Sequence, residues 1–301
     1  DGRGLRTRRC PGIPGHAAPA QARVTAGVRT NALEFAAVAP QRGGRSLFAP
    51  FNAKFEPGTF LGIVGPNGSG KSSLLSVVAR TGVRSTGTVR HAGRDIAGMR
   101  GRERAEVMAL MTQDSYAPNE LRVLDIVRVG ALATPAVGAA SVTDRSLDAL
   151  EELKIQDLAA RSYSTLSGGQ SQLVQLARVL AQNTPVMLFD EPTSALDLQH
   201  HLTVMHALHE RALAGHIVLI TMHDLSQALR WSTRIAVIAE QVRVGEPSEV
   251  LTPAMIREVY GVETESFLSP SGAPTLGLVR PEGWPDTAVR ATTSHTTSLR
   301  H

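Results

Sequence analysis

The sequence predicts an α/β fold in which buried parallel strands feed directly into helices. Three observations predict it. Short, unbroken apolar runs recur along the chain, each apolar on both faces, as parallel strands covered by helices must be. Patterns of helical period follow several of these runs. The first run, Leu61-Gly62-Ile63-Val64, passes into Gly65-Pro66-Asn67-Gly68-Ser69-Gly70-Lys71-Ser72, a glycine-rich turn that opens a helix.

Taken in order, the strand candidates are Phe60–Val64, Val186–Phe189, Ile217–Thr221 and Ile235–Ile238. The helix candidates are Lys71–Ala79, Gly168–Ala181 and Leu198–Ala214. Residues 95–165 lack runs of the strand type. Ala105–Leu110, Val123–Val129 and Ser146–Leu153 instead carry apolar spacings of three and four, which predict a helical insertion. Residues 1–23 form a flexible basic extension by composition, a character that continues to about residue 30. Residues 269–301 are rich in Ser, Thr, Pro and Gly and are expected to form a disordered tail.

Composition bounds the function. A 301-residue chain with 42% hydrophobic residues can bury a full core as one domain with a subdomain, or as two small domains. The single cysteine, Cys10, excludes an internal disulfide and suits a reducing compartment. No apolar run approaches the roughly 20 residues that span a bilayer. The formal charge of +4 is modest. Much of the basic character sits in the first thirty residues (Arg3, Arg6, Arg8, Arg9, Arg23 and Arg29), which argues against a nucleic-acid surface on the core.

The glycine-rich turn has the P-loop spacing. Glycines let several backbone N–H groups converge on one anion, and the helix beginning near Lys71 adds the positive end of its dipole. The Lys71 ammonium can then reach the β- and γ-phosphates, and the Ser72 hydroxyl can join the shell of a Mg²⁺ ion. Only three lysines exist in the chain, Lys54, Lys71 and Lys154, so one in this setting is informative.

Two further motifs lie downstream. Leu166-Ser167-Gly168-Gly169-Gln170 precedes a helical pattern, with Ser167 where an N-cap belongs and two glycines that leave the helix start open. Val186-Met187-Leu188-Phe189-Asp190-Glu191 is an apolar strand that ends in two carboxylates, a costly arrangement without a task for them. Asp190 can hold Mg²⁺ through water, and Glu191 can orient or deprotonate an attacking water.

Together Gly65–Ser72, Leu166–Gln170, Val186–Glu191, the Ser194-Ala195-Leu196-Asp197 turn and His223 resemble the ATP-binding cassette (ABC) ATPases, over residues 24–268. The resemblance implies a P-loop NTPase core of RecA type, an antiparallel β edge and a helical signature subdomain at about 95–165. It implies that Gly65, Pro66, Asn67, Gly68, Ser69, Gly70, Lys71, Ser72 and Ser73 cradle the phosphates of ATP. Ser72, Asp190 and Gln113 would serve Mg²⁺, Glu191 would be the catalytic base, and Gln113 and His223 would flank the lytic water and γ-phosphate. In this family two cassettes pair head to tail. The signature residues Leu166, Ser167, Gly168, Gly169 and Gln170 then close on ATP held by the other cassette, and Asp197 lies across the seam. One copy of each motif implies a homodimer or a paired cassette.

A narrower resemblance points to importers of iron–siderophore complexes, haem and cobalamin. It rests on Leu196-Asp197-Leu198-Gln199-His200-His201, on Val123–Gly130, and on Glu249–Thr252 and Glu258–Val262. It implies transmembrane permease subunits as partners, an extracytoplasmic binding protein that delivers ligand, no nucleic acid, and a peripheral place on the cytoplasmic face of the membrane. The alternatives are a cassette for another small solute and a soluble, non-transport ABC ATPase.

The sequence departs from the family in three places. Ala36–Pro40 stands where an adenine-stacking ring is usual, with Phe35 the nearest ring. Ser171-Gln172-Leu173 lacks the basic residue that often follows the signature, and Gly130-Ala131-Leu132 lacks residues frequent in the iron-chelate group. His200, His201, His206 and His209 invite a metal reading, but no cysteine or clear third ligand accompanies them, and a solvated helix face accounts for them better.

Overall fold

The computed structural model describes residues 31–113, 120–134, 141–269, 272 and 274–279. The basic extension expected over 1–23 and most of the expected tail lie outside the described residues.

The described chain opens in an antiparallel layer. β1 (Leu33–Arg42) turns through Gly43-Gly44 into β2 (Arg45–Ser46), and β3 (Phe51–Phe55) returns along β1. The chain then enters the central sheet as β4 (Phe60–Val64) and leaves it as α1 (Lys71–Ala79). β5 (Arg84–His91) and β6 (Arg94–Asp95) rejoin the first sheet, whose order is β2-β1-β5-β6 with β3 also on β1.

Next come α2 (Gly101–Val107), β7 (Met108–Met111), α3 (Val123–Leu132), α4 (Val142–Glu152) and α5 (Gly168–Gln182). β8 (Val186–Phe189), α6 (Leu198–Leu213), β9 (Ile217–Thr221), α7 (Leu225–Trp231) and β10 (Arg234–Ile238) alternate, as the sequence predicts. β11 (Val242–Gly245), α8 (Pro247–Val250), α9 (Pro253–Tyr260), β12 (Thr264–Leu268) and β13 (Pro274–Leu278) complete the described chain.

The central sheet has the order β11-β10-β4-β9-β8-β7 and is parallel except for β11. Its strands carry side chains into two separate cores, one on each face. Phe60, Met187, Phe189, Val218 and Ile220 pack with the helices α3 to α6, while Leu61, Ile63, Leu188 and Leu219 pack with α1 and the antiparallel layer. The alternation follows from the two-residue period of a strand, and each fully buried Leu, Ile or Phe contributes about 1.5–3 kcal/mol.

Register then places the functional segments. Ile63 pairs with Thr221, Ile220 with Phe189, and Phe189 with Met111. The C-terminal ends of β4, β9, β8 and β7 are therefore level. The P-loop, His223, Asp190-Glu191 and Gln113, which succeed these strands in turn, all emerge at one edge of the sheet, where parallel α/β sheets bind ligands.

Two expectations need correction. Ala105–Leu110 is not a helix throughout: α2 ends at Val107, and Met108–Met111 is a strand on the sheet edge. A run of four apolar residues fits either element, and pairing with β8 decides it. The tail expected from 269 does not hold over Pro274–Leu278, which pairs with β12. Leu276 packs against the helical core, and Ser226 Oγ donates to its carbonyl oxygen at 3.3 Å. Alternating apolar residues in a Ser/Gly/Pro-rich setting give a hairpin that composition alone conceals.

His209 also differs from a solvated helix face. Its ring sits 6.1 Å from Phe60 and 5.9 Å from Trp231. Among the described residues, no cluster of three or more His, Cys, Asp or Glu could hold a metal.

Candidate active site

The P-loop is built on backbone that side chains would obstruct. Gly65 has φ +154, and a Cβ there would lie 2.2 Å from the Ile238 carbonyl oxygen. Gly70 has φ +106 and occupies the N-cap of α1, with no side-chain cap on the first turn. The first N–H groups of α1 are thus left for an anion. Lys71 is buried, and its Nζ donates to the carbonyls of Gly65 (2.9 Å) and Pro66 (3.1 Å). Burial lowers the Lys71 pKa from its ordinary value, while the charges of Glu191 and Asp190 oppose that shift. Asn67 and Gly68 are exposed at the loop apex. The Ser69 hydroxyl is buried without a hydrogen-bond partner, a polar atom set against the same loop.

Asp190 is tied to the P-loop. Ser72 Oγ donates to Asp190 Oδ1 at 3.0 Å, and Thr221 Oγ1 donates to the same oxygen at 2.7 Å. A hydroxyl beside a carboxylate is a hard-oxygen donor pair of the kind Mg²⁺ takes alongside phosphate and water. Ser72 and Asp190 are thus the residues here that could hold that ion.

Glu191 stands next to it in an unusual conformation, with φ +49. Its N–H donates to Thr221 Oγ1 at 2.8 Å. Gln113 Nε2 donates to Glu191 Oε2 at 3.3 Å, and His223 Nε2 is hydrogen-bonded to Glu191 Oε1. Strands β7, β8 and β9 thus bring Gln113, Glu191 and His223 together around one carboxylate.

The signature residues form a second cluster. Ser167 and Gln170 make a reciprocal capping box at the start of α5: Gln170 N–H donates to Ser167 Oγ at 3.3 Å, and Ser167 N–H donates to Gln170 Oε1 at 3.1 Å. Ser167 and Gly168 are exposed, and Leu166, Gly169 and Gln170 are half-buried. A Cβ on Gly169 would lie 3.0 Å from the Ala195 carbonyl oxygen, so the signature packs on the turn that leads to Asp197. Asp197 caps α6 through the His200 N–H at 2.8 Å, and its carboxylate also meets His200 Nδ1 at 2.9 Å. The backbone hydrogen bond from His200, followed by the one from its ring, lowers the Asp197 pKa.

Sequence reasoning missed three residues. Thr221 joins Asp190 and Glu191; the signal was a hydroxyl ending an otherwise apolar buried strand. Gln172 bonds both the Glu191 carbonyl and the Ala195 N–H, at 3.1 and 3.2 Å. Tyr260, at the end of α9, accepts a backbone hydrogen bond from Gly65, yet burial pushes its phenol up to about 12. Phe35 cannot supply a stacking ring, because it is buried against Phe51 and Phe55 with centroids 5.4 and 5.7 Å away. A cavity of about 690 Å³ lies beside the P-loop, between Leu47, Asn67, Gln241 and Val259, and none of its lining residues carries an aromatic ring.

Comparison with known proteins identifies the family and the fold. The family model described as ABC transporter matches residues 48–194. The Hemin import ATP-binding protein HmuV of Bordetella parapertussis is 37% identical over 243 residues, covering 76% of this chain and 92% of that relative. The protein of the same name from Myxococcus xanthus is 38% identical over 262 residues, covering 83% and 97%. A dimeric bacterial ABC transporter cassette superposes with a TM-score of 0.64 at 25% identity, covering 71% of this chain and 98% of that one. An inward-facing ABC transporter described as metal-chelate type gives 0.69 at 24% identity, covering 83% and 98%, a likeness of fold. By its motifs, its fold and these relatives, the chain belongs to the ABC transporter family, as an ATP-binding cassette with ATPase activity.

Proposed function

We propose that this cassette powers a membrane importer of iron chelates, with haem as the first cargo to test and iron–siderophore complexes and cobalamin next. The observation that supports the cargo class is the run of curated relatives named for hemin import, at 34–38% identity. The reaction is in-line attack of water on the γ-phosphate of ATP.

The residues divide the work. The backbone of Gly65–Ser73 binds the phosphates, and Lys71 exchanges its two carbonyl partners for phosphate oxygens. Ser72 and Asp190 would hold Mg²⁺, which would supply charge neutralisation on the phosphates. Glu191 takes the proton of the attacking water, and Gln113 and His223 orient that water and the carboxylate that receives its proton. Leu166–Gln170 and Asp197 serve the ATP of a second cassette in a head-to-tail homodimer.

No helix among the described residues is long and apolar enough to cross a membrane. As the subunit of an importer, the cassette works at the cytoplasmic face, beneath permease subunits that receive ligand from an extracytoplasmic binding protein. α3 offers a docking surface for a permease, since Val129 and Leu132 are 57% and 69% exposed on a helix otherwise packed against α4 and α5.

Deletion of the gene, complemented by the wild type or by Glu191→Gln, tests the reading through cellular accumulation of haem, ⁵⁵Fe-siderophore and cobalamin. Loss of one uptake, restored only by the wild type, is expected. Unchanged uptake of all three would overturn the cargo class.

A further inference from the structure

The catalytic carboxylate is carried by a residue in strained backbone, and the structure shows what holds it. Glu191 has φ +49, a region that L residues with a side chain seldom occupy without external support. On its N-terminal side the peptide is fixed by the bond from Glu191 N–H to Thr221 Oγ1, on β9. On its C-terminal side the fixing group is the side-chain amide of Gln172, on α5. Gln172 Nε2 donates to the Glu191 carbonyl oxygen at 3.1 Å, and Gln172 Oε1 accepts from Ala195 N–H at 3.2 Å. Nε2 also lies 3.5 Å from Ser194 Oγ, which itself donates to the Glu191 carbonyl oxygen at 3.2 Å.

We infer that Gln172 is the positioning residue for Glu191, clamping its carbonyl so that the carboxylate stays between Gln113 and His223. The inference rests on the reading of Glu191 as the base. Only an amide fits this place among side chains of its length, because it must donate to a carbonyl and accept from an N–H at once. Gln172 lies two residues beyond the signature, on the helix whose first turn is the Ser167–Gln170 capping box. A displacement of that turn therefore reaches Glu191 and the Ser194–Asp197 turn through one side chain. Without the clamp, the Glu191 carbonyl keeps only Ser194, through its N–H at 3.3 Å and its Oγ at 3.2 Å, and the carboxylate is held less firmly between Gln113 and His223.

The test compares MgATP hydrolysis and ATP binding by the wild-type protein, Gln172→Met, Glu191→Gln and the double variant. Methionine keeps the length and shape of glutamine and removes both hydrogen bonds. The expected result is a loss of about tenfold or more in kcat for Gln172→Met with KM unchanged, the sign of an interaction that acts in the chemical step. In the Glu191→Gln background the same change should remove nothing further, because the clamp acts only through Glu191. A purely structural role would instead weaken ATP binding and lower the residual rate in both backgrounds, and that result would overturn the inference. Wild-type kcat in Gln172→Met alongside an inactive Glu191→Gln would overturn it alone; normal hydrolysis by Glu191→Gln would remove the base reading as well. Should Gln172→Met fail to fold, Gln172→Glu reads the same split, since it keeps an acceptor for Ala195 N–H and loses the donor to Glu191.

Discussion

His223 Nε2 is hydrogen-bonded to Glu191 Oε1, while Gln113 Nε2 holds the other oxygen of the same carboxylate at 3.3 Å. Both oxygens of the proposed base are therefore engaged from two different strands. A bond to a carboxylate needs a proton on His223 Nε2, so the ring donates and Glu191 accepts. Each oxygen keeps a second lone pair, so the carboxylate can take a proton from water while both partners hold it. His223→Ala is expected to lower kcat by about tenfold or more with smaller change in ATP affinity. Steady-state kinetics at saturating MgATP check this; an unchanged kcat would remove His223 from the site.

Lys71→Ala should act on binding rather than on the chemical step. The ammonium is buried and held by two carbonyls of its own loop, so it is already placed over the phosphate cradle. Nucleotide titration should show affinity at least about tenfold weaker, a loss of about 1.4 kcal/mol. Unchanged affinity would contradict the assignment of the loop.

Thr221→Val tests the joint between the two carboxylates. Valine keeps the shape and removes the hydroxyl that donates to Asp190 and accepts from Glu191 N–H. Leaving the Glu191 N–H unsatisfied, with Asp190 Oδ1 held by Ser72 alone, costs about 1–3 kcal/mol, readable as a shift of the denaturation midpoint, and hydrolysis should fall with it. Full stability and activity in this variant would contradict the account of Asp190 and Glu191.

Gly130 closes the Val123–Gly130 segment, and the structure gives a reason for a glycine there. A Cβ there would stand 1.9 Å from the Arg178 carbonyl oxygen, where α3 crosses α5. Gly130→Ala must push the two helices apart and is expected to destabilise the cassette by about 1–3 kcal/mol. Thermal denaturation of the purified variant measures it, and an unshifted transition would show that the helices are not so close.

A buried histidine, His91, and a half-buried one, His216, set a pH dependence of stability. Burial lowers the pKa of both His91 and His216 from 6.5, against opposing hydrogen bonds that their rings donate to the backbone of Asn31 and Thr184. The unfolded chain then binds more protons than the folded one once the pH falls below about 6.5. Their contribution is complete above that value and is lost as the pH falls towards the folded pKa. Melting temperature should drop between pH 7 and 5, and His216→Asn should flatten the drop. An equal slope in that variant would contradict the prediction.

Much of this was legible because the chemistry is local. The helix Lys71–Ala79 and the strands Phe60–Val64 and Val186–Phe189 have the bounds that their apolar patterns predict, since each strand runs at once into glycine or carboxylate and the helix starts on its glycine. Met108–Met111 was not legible, because four apolar residues become a strand only when β8 is beside them. Thr221 and Gln172 were hidden for a related reason. Their roles depend on partners 30 and 19 residues away, Glu191 in both cases, and a lone Thr or Gln carries no spacing signal.

The most direct measurement is ATP binding and ATP hydrolysis by the wild-type protein and Glu191→Gln, side by side. The account predicts that Glu191→Gln binds MgATP like the wild type and hydrolyses it about 10²–10⁴-fold more slowly, the share that a positioned general base supplies. Hydrolysis at the wild-type rate would contradict it and leave the carboxylate between Gln113 and His223 without a catalytic role.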